Sequence, residues 1–142
     1  YGLTATKQLS DNTTLVFEAG RMQFQNYSYA DGQRMKFGAE TRVNAAVSQR
    51  LLTLPESRFR LDGNVELNYL RLGRDRTQDG PELATGGDML YGVLGARLYK
   101  GSFSLGLAVK RPIWTKLNEA PDQQGAEGKE KYRLIATFSA LF

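Results

Sequence analysis

Charged side chains recur at alternate positions in several stretches of the sequence, and this spacing decides what chemistry they can do. Side chains at alternate positions of an extended strand lie on one face. A face of this composition can hold ion pairs, or it can line an aqueous lumen and bias which solutes pass. The residues that we predict to face such a lumen are Lys36, Glu40, Arg42, Arg60, Asp62, Glu66, Arg97, Lys110 and Arg133.

Side chains for the common kinds of catalysis and metal binding are scarce. The chain has no His and no Cys. The absence of His removes the Ser-His and Asp-His arrangements of nucleophilic catalysis, and the absence of both argues against a transition-metal site. Carboxylates and hydroxyls are present, but their spacing identifies no catalytic dyad. We therefore expect neither an enzyme nor a bound metal or cofactor.

Length, charge and hydropathy bound the class of protein. The 142 residues amount to one domain, residues 1–142. The net charge of +4 is spread along the chain, without the basic run and interleaved aromatics of a nucleic-acid groove, so no nucleic-acid partner is expected. No apolar stretch approaches the ~20 residues of a membrane helix. The mean hydropathy of −0.44 still fits a membrane barrel, whose strands alternate apolar and polar residues.

Alternation with a period of two predicts seven strands and no helix. A bulge near Gly20 would reconcile two conflicting phases in the second strand, and Pro112 should fray or bulge the sixth because proline cannot donate to a ladder. The predicted strands are Tyr1 to Leu9, Thr13 to Tyr27, Arg34 to Leu51, Phe59 to Tyr69, Asp88 to Tyr99, Ser102 to Trp114 and Tyr132 to Phe142.

The last predicted strand carries an aromatic residue at each end of its apolar face, Tyr132 and Phe142. This arrangement closely resembles the C-terminal assembly signal of Gram-negative outer-membrane β-barrels, whose terminal Phe is read by the barrel-assembly machinery. The resemblance implies an outer-membrane location, with lipid and the assembly machinery as partners. The alternative is the last strand of a soluble sandwich or lipocalin-like barrel, which would show the same alternation.

The predicted connections are short and long in turn. Those near Asp11, Pro55 and Gly101 are short, whereas the others are longer, which is the asymmetry between the periplasmic turns and extracellular loops of outer-membrane barrels. With this orientation, aromatic residues lie at both ends of the apolar face, as the two membrane interfaces select. The predicted girdle comprises Phe59, Phe103 and Phe142 at the periplasmic rim and Tyr1, Phe37, Tyr69 and Tyr132 at the outer rim.

The odd number of strands has a consequence for the fold class. We predict an all-β, antiparallel, up-and-down transmembrane β-barrel, but bacterial single-chain barrels have an even number of strands. A seven-stranded sheet that curled open would leave two unpaired edges in lipid, which is very costly. We therefore expect this chain to be the C-terminal part of a larger barrel, or one completed by another chain.

A narrower resemblance concerns three segments near the end of the chain. Gly95 to Tyr99, Leu107 to Trp114 and the terminal strand look like the C-terminal end of outer-membrane transporters associated with aromatic-compound degradation. This resemblance implies a passive channel for small hydrophobic or aromatic compounds. No residue of a substrate site can be transferred from it, because these segments contain no diagnostic binding motif.

Three functions remain open from the sequence. The first is an outer-membrane channel or porin-like transporter for passive passage of small solutes. The second is a small plugged barrel with a structural, adhesive or scaffolding role, in which the inward charges form an ion-pair network. The third is a soluble ligand-binding barrel. Arg71, Arg74 and Arg76 follow the outer end of the fourth strand, where they could pair with lipopolysaccharide phosphates or form a solvated loop.

Overall fold

The protein is an all-β chain built on one antiparallel sheet. The computed structural model describes residues 1–30, 32–119 and 130–141. Its seven long strands pair in the order β1-β2-β5-β6-β9-β10-β11, so each pairs with the next long strand along the chain. In chain order the strands are β1 (Gly2–Ser10), β2 (Thr13–Met22), β3 (Tyr27–Ser28), β4 (Arg34–Met35), β5 (Glu40–Leu54), β6 (Phe59–Leu72), β7 (Arg76–Thr77), β8 (Gly80–Pro81), β9 (Gly87–Lys100), β10 (Phe103–Leu117) and β11 (Arg133–Ala140).

The seven predicted strands are confirmed, with differences at their ends. The third, predicted to start at Arg34, is divided into β4 and β5, because Lys36 leaves the sheet and forms a backbone bridge with Arg76. The second ends at Met22. Its pairing with β5 continues through Gly20 and its pairing with β1 reaches Gly20, both without a register shift there, so the predicted bulge was wrong. The predicted irregularity at Pro112 is confirmed by a shift in the β9–β10 register between Pro112 and Trp114.

The register aligns the apolar side of each long strand with the apolar side of its neighbours, and the polar side with the polar side. Leu105, for example, lies between Leu98 of β9 and Phe138 of β11, and Asn68 lies between Asn44 of β5 and Tyr91 of β9. We call the two surfaces the apolar face and the polar face. The apolar face includes Phe17, Val43, Val47, Val65, Leu67, Leu94, Leu98, Leu105, Leu107, Leu134 and Phe138, and the polar face includes Glu18, Arg42, Asn44, Asp62, Asn64, Glu66, Asn68, Arg97, Lys110, Arg133 and Thr137.

In a soluble protein the apolar face of a sheet is buried and the polar face is exposed, whereas here the apolar face is the more exposed one. On the apolar face Leu67 is 49% exposed, Leu105 46% and Phe138 69%. Among the described residues the one buried hydrophobic side chain is Val93, at 7%, and it lies on the polar face between Glu66 and Lys110. The more shielded surface of the sheet is therefore the polar one.

The sheet is open within the described residues. There β1 pairs with β2 alone and β11 with β10 alone, so no closed barrel is formed. No helix in the described ranges is long and apolar enough to cross a membrane.

Two long connections, between β2 and β5 and between β6 and β9, form a packed layer at one end of the sheet, which we call the loop layer. The hairpins β3–β4 and β7–β8 are joined by the Lys36–Arg76 bridge, whose two N–H···O distances are both 2.8 Å. Below this bridge the Gly73 N–H donates to the Ala39 carbonyl at 2.8 Å. A Cβ atom on Gly38 would lie 2.0 Å from the Gly73 carbonyl oxygen, so only glycine permits this approach.

Candidate functional site

The polar face is concave, and this curvature defines the candidate site. Arg42 on β5 and Arg133 on β11 line the same cavity of about 300 Å³, together with residues of β6, β9 and β10. Four strand spacings separate β5 from β11, which would amount to roughly 19 Å in a flat sheet. The sheet must therefore curl toward its polar side.

Two ion pairs on the polar face form within single strands. Arg42 donates to Glu40 at 2.7 Å, and Arg60 lies 3.1 Å from Asp62. In each pair the partners are two residues apart, because residues i and i+2 of a strand point to the same side. The Asn64 amide likewise donates to Glu66 at 2.8 Å. These local contacts compensate charge on a partly shielded surface.

Arg97 makes its contact across the sheet, and glycine makes room for it. The register places Arg97 opposite both Asp62 and Gly106, but its guanidinium donates to the Thr137 hydroxyl at 3.1 Å. A Cβ atom on Gly106 would lie 2.5 Å from the Thr137 oxygen and 3.2 Å from Arg97 Nε. The missing side chain at Gly106 lets β9 and β11 interact over β10.

A second cavity of about 410 Å³ lies at the centre of the polar face. It is lined by carboxylates, amides and one guanidinium, from Glu18, Asn44, Asp62, Asn64, Glu66, Asn68 and Arg97 among others. Asp62 Oδ1 and Arg60 Nε are buried without a hydrogen-bond partner among the described residues. Of these two residues only Asp62 lines the cavity, and the carboxylate, amide and guanidinium groups of its wall are what suit the cavity to polar contents.

Cations predominate where β9, β10 and β11 meet. Lys110 and Arg133 are directly opposite in the β10–β11 register. Glu130, three residues before Arg133, accepts two hydrogen bonds from that guanidinium, at 2.7 and 3.1 Å. The Lys110 ammonium instead lies 4.4 Å from the centre of the Tyr91 ring, a cation–π contact.

Eight of the nine predicted lumen residues lie in strands of the seven-stranded sheet. Lys36 is the exception, since it lies before β5 and bridges to Arg76, so its placement on a sheet face was wrong. Arg60 packs on the Tyr99 ring at 3.9 Å while it pairs with Asp62. The cavity near β11 brings together Arg42, Lys110 and Arg133, and the central cavity brings together Asp62, Glu66 and Arg97.

The predicted girdle residues occupy both ends of the sheet. Phe59 and Phe103 begin β6 and β10 next to short turns, and the Phe103 ring stacks on Phe138 with centroids 6.1 Å apart. Tyr69 lies near the far end of β6 and donates its hydroxyl to Asp88 of β9. Tyr1 and Tyr132 are exposed next to β1 and β11. Phe142 lies outside the described residues.

Phe37 and the three arginines near the outer end lie close to or within the loop layer. Phe37 precedes β5 and meets Phe24 edge to face, with centroids 6.1 Å apart. Arg76 belongs to β7, and Arg71 lies 3.9 Å from Asp88 with an exposed side chain. Arg74 is exposed in the connection between β6 and β7. The three arginines thus have different environments.

Several residues that build the site were not among the predicted ones. Tyr91, Tyr99 and Asn64 share the phase of the predicted charges, so alternation alone could have identified them. Glu18 was not predicted to line the site, because the second strand showed two conflicting phases of alternation. Glu130 gave no signal of this kind, since it precedes β11 and reaches Arg133 from outside the strand.

Comparisons of this chain with protein-family models, with curated proteins and with solved structures found no match in any of the three. Within the described ranges, no group of three or more His, Cys, Asp or Glu side chains is placed to hold a metal ion. The two faces of the sheet and the contacts within them are therefore the features that indicate a function.

Proposed function

We propose that this chain forms part of an outer-membrane β-barrel channel that allows small solutes to pass along its polar face. The observation that carries this proposal is the sidedness of the sheet: the apolar face is exposed across every long strand, and the charged face is concave and, on β5, β6, β9 and β10, the less exposed of the two. Hydrocarbon is the environment that tolerates the first surface, and an aqueous lumen is the one that tolerates the second.

The length of the apolar face supports this proposal. A barrel strand crosses the hydrocarbon core in about 9–11 residues, and Phe59 and Tyr69, at opposite ends of the β6 apolar face, enclose about that number. Counted from Phe103, the same length reaches the neighbourhood of Arg111, a cation on the apolar side of β10. Arg111 would then lie at the outer boundary, where a long side chain can extend into the polar layer.

The direction of the edge strands limits how the barrel can close. β1 and β11 are the first and seventh strands of an antiparallel sheet, so they run in the same direction. An all-antiparallel closure thus needs an odd number of additional strands, from this protein or from another chain. A direct parallel pair between β1 and β11 would be the competing arrangement.

The proposal includes the partners that the outer membrane would supply. The apolar face would contact lipid, and the terminal strand would be read by the barrel-assembly machinery. The exposed Arg71 and Arg74 would lie at the level of lipopolysaccharide phosphates, which guanidinium groups bind well. The resemblance to transporters of aromatic-compound degradation makes small hydrophobic or aromatic compounds one class of solute for this channel.

A plugged barrel is the second candidate, and the local ion pairs favour it. Arg42–Glu40, Arg60–Asp62 and Arg133–Glu130 each compensate a charge without any solute. If few strands are added, such pairs would fill a narrow interior. A soluble ligand-binding barrel is less well supported, because it would have to bury the face on which Leu67 and Leu105 are exposed.

Planar-bilayer recording tests the proposal. The protein, extracted from membranes with detergent, should give stepwise conductance at concentrations where detergent alone gives none. Membrane insertion without conductance would favour the plugged barrel. Recovery of the folded protein from the soluble fraction without detergent would contradict both membrane functions.

A further inference from the structure

We propose that the cavity between Lys110, Arg133 and Arg42 is a binding site for small carboxylate solutes, with Lys110 as the residue that engages the anion. The inference deepens the proposed channel function and depends on it only in requiring that the polar face be open to solvent. We call this cavity the carboxylate site. It has a volume of about 300 Å³, and its walls include Asn44, Asn68 and Tyr91 as well as the three cations.

At the carboxylate site Lys110 is the cation without a direct ion pair among the described residues, although Glu130 and Glu66 attract it from a longer distance. Arg42 is paired with Glu40 and Arg133 with Glu130. Among the described residues no carboxylate lies within 4.0 Å of the Lys110 ammonium, which contacts the face of the Tyr91 ring. An ammonium has three N–H donors, and a ring face cannot satisfy them all. Lys110 is therefore the cation best able to accept an additional anion.

The β10–β11 register adds a reason for an anion to bind at this position. Lys110 and Arg133 are directly opposite each other, and like charges in that arrangement destabilise a strand pair. Glu130 already offsets this repulsion at Arg133, and an anion beside Lys110 would offset it at the other member of the pair. Lys110 is partly shielded, which strengthens its contacts relative to those at a free surface, whereas the Arg42 and Arg133 side chains are 59% and 60% exposed.

The identity of the anion follows from the contact that Arg133 already makes. The Glu130 carboxylate receives Nε and Nη2 of that guanidinium at 2.7 and 3.1 Å, the two-pronged geometry that arginine makes with a carboxylate. The site thus has the geometry that binds a carboxylate group, and the Glu130 carboxylate of the chain itself already makes this contact. A solute carboxylate would bind Lys110 beside Glu130 or replace Glu130 on Arg133.

Equilibrium dialysis of the full chain in detergent micelles tests the carboxylate site without any need for conductance. The probe is radiolabelled acetate, and acetamide, its neutral counterpart, should not displace it. Lys110→Gln should weaken acetate binding about fivefold or more, because charge-assisted hydrogen bonds are roughly twice as strong as neutral ones. Lys110→Arg should retain most of the affinity. Lys116→Gln, which removes the same charge from the outer end of β10, should bind as the unmodified protein does.

Glu130→Gln provides a prediction of opposite sign. Removing the internal carboxylate's charge should tighten acetate binding about threefold or more, since Arg133 would then be available to the solute. A role of Glu130 in folding alone would instead lower or leave unchanged the affinity. Circular dichroism of each variant checks that the sheet is retained.

Several results would overturn the carboxylate site. They are no saturable acetate binding, equal affinity in the Lys110→Gln and Lys116→Gln variants, displacement of acetate by acetamide, or displacement by chloride at the same concentration as acetate. Retained acetate binding in a protein that does not conduct would refute the channel and leave the site. Conductance without acetate binding would refute the site and leave the channel.

Discussion

Arg42 of β5 and Arg133 of β11 line one cavity, although three strands of the sheet lie between them. The relationship is possible because the sheet curls toward the side that carries its charges. A soluble barrel of the same alternation would curl the other way and enclose Leu67, Leu105 and Phe138. The direction of curvature, more than the alternation itself, is what separates a lipid-facing from a water-facing interpretation of these strands.

Adjacent residues on opposite faces of β6 should respond very differently to a new charge. Leu67→Arg would place a guanidinium on the apolar face, inside the band that Phe59 and Tyr69 enclose. A charge there should cost between the about 0–1 kcal/mol of the membrane interfaces and the about 2–4 kcal/mol of the bilayer middle. Asn68→Arg places the same group on the polar face and should cost much less. Guanidinium-induced unfolding of each variant in lipid vesicles measures the difference. Equal effects of the two substitutions would argue against hydrocarbon on the Leu67 side.

Adding a methyl group at Gly38 should disrupt the packing of the loop layer against the start of β5. Its Cβ would lie 2.0 Å from the Gly73 oxygen, so Gly38→Ala must push the start of β5 away from the loop and should destabilise the protein by about 1–3 kcal/mol. Gly20→Ala is the matched control, because its Cβ would lie 3.9 Å from the Tyr1 carbonyl oxygen, an ordinary van der Waals distance. Denaturant unfolding of both variants gives the comparison, and similar stabilities would show that the loop accommodates the methyl group freely.

The hydroxyl of Tyr69 should contribute to the pairing of β6 and β9 at the outer end of the sheet. Tyr69→Phe removes the hydrogen bond to Asp88 and should lower the free energy of unfolding by about 0.5–1.5 kcal/mol. Tyr132→Phe removes an exposed hydroxyl and should be nearly neutral. Amide hydrogen exchange at the β6–β9 pairing would reveal the weakened end. Unchanged protection in the Tyr69 variant would indicate that Asp88 is satisfied by water equally well.

Reversing one charge in the central cavity should change ion selectivity if the polar face lines a lumen. Glu66→Lys changes the wall of the 410 Å³ cavity and should shift the reversal potential in a salt gradient toward anion selectivity. Glu56→Lys makes the same change in the exposed turn between β5 and β6, where the effect should be smaller because salt screens it. Equal shifts in the two variants would place the conduction path away from Glu66.

The sequence predicted the parts of the fold that depend on local alternation. β10 illustrates this, because Leu105, Leu107 and Val109 share one face in the sequence and in the structure, and Pro112 interrupts the register as expected. β2 illustrates the limit. Met22 and Phe24 suggested a second phase, but the strand simply ends at Met22, and the chain beyond it is irregular up to β3.

The features that alternation could not predict are contacts between distant parts of the chain. Lys36 was placed on a strand because its neighbours alternate, whereas its backbone bridges to Arg76 in another connection. The pairing of Arg97 with Thr137, in place of the facing Asp62, depends on the space above Gly106. Such contacts follow from tertiary packing, which overrides local pattern where a glycine or a loop allows a closer approach.

The most direct test of the central claim measures the environment of adjacent side chains on the two faces. The chain has no Cys, so single cysteines can replace Ser104, Leu105, Thr137 and Phe138 and carry an environment-sensitive fluorophore in lipid vesicles. We predict that probes at Leu105 and Phe138 are quenched by nitroxide-labelled lipid tails, and that probes at Ser104 and Thr137 are quenched by aqueous iodide. The reverse pattern, or iodide quenching at all four positions, would contradict the account.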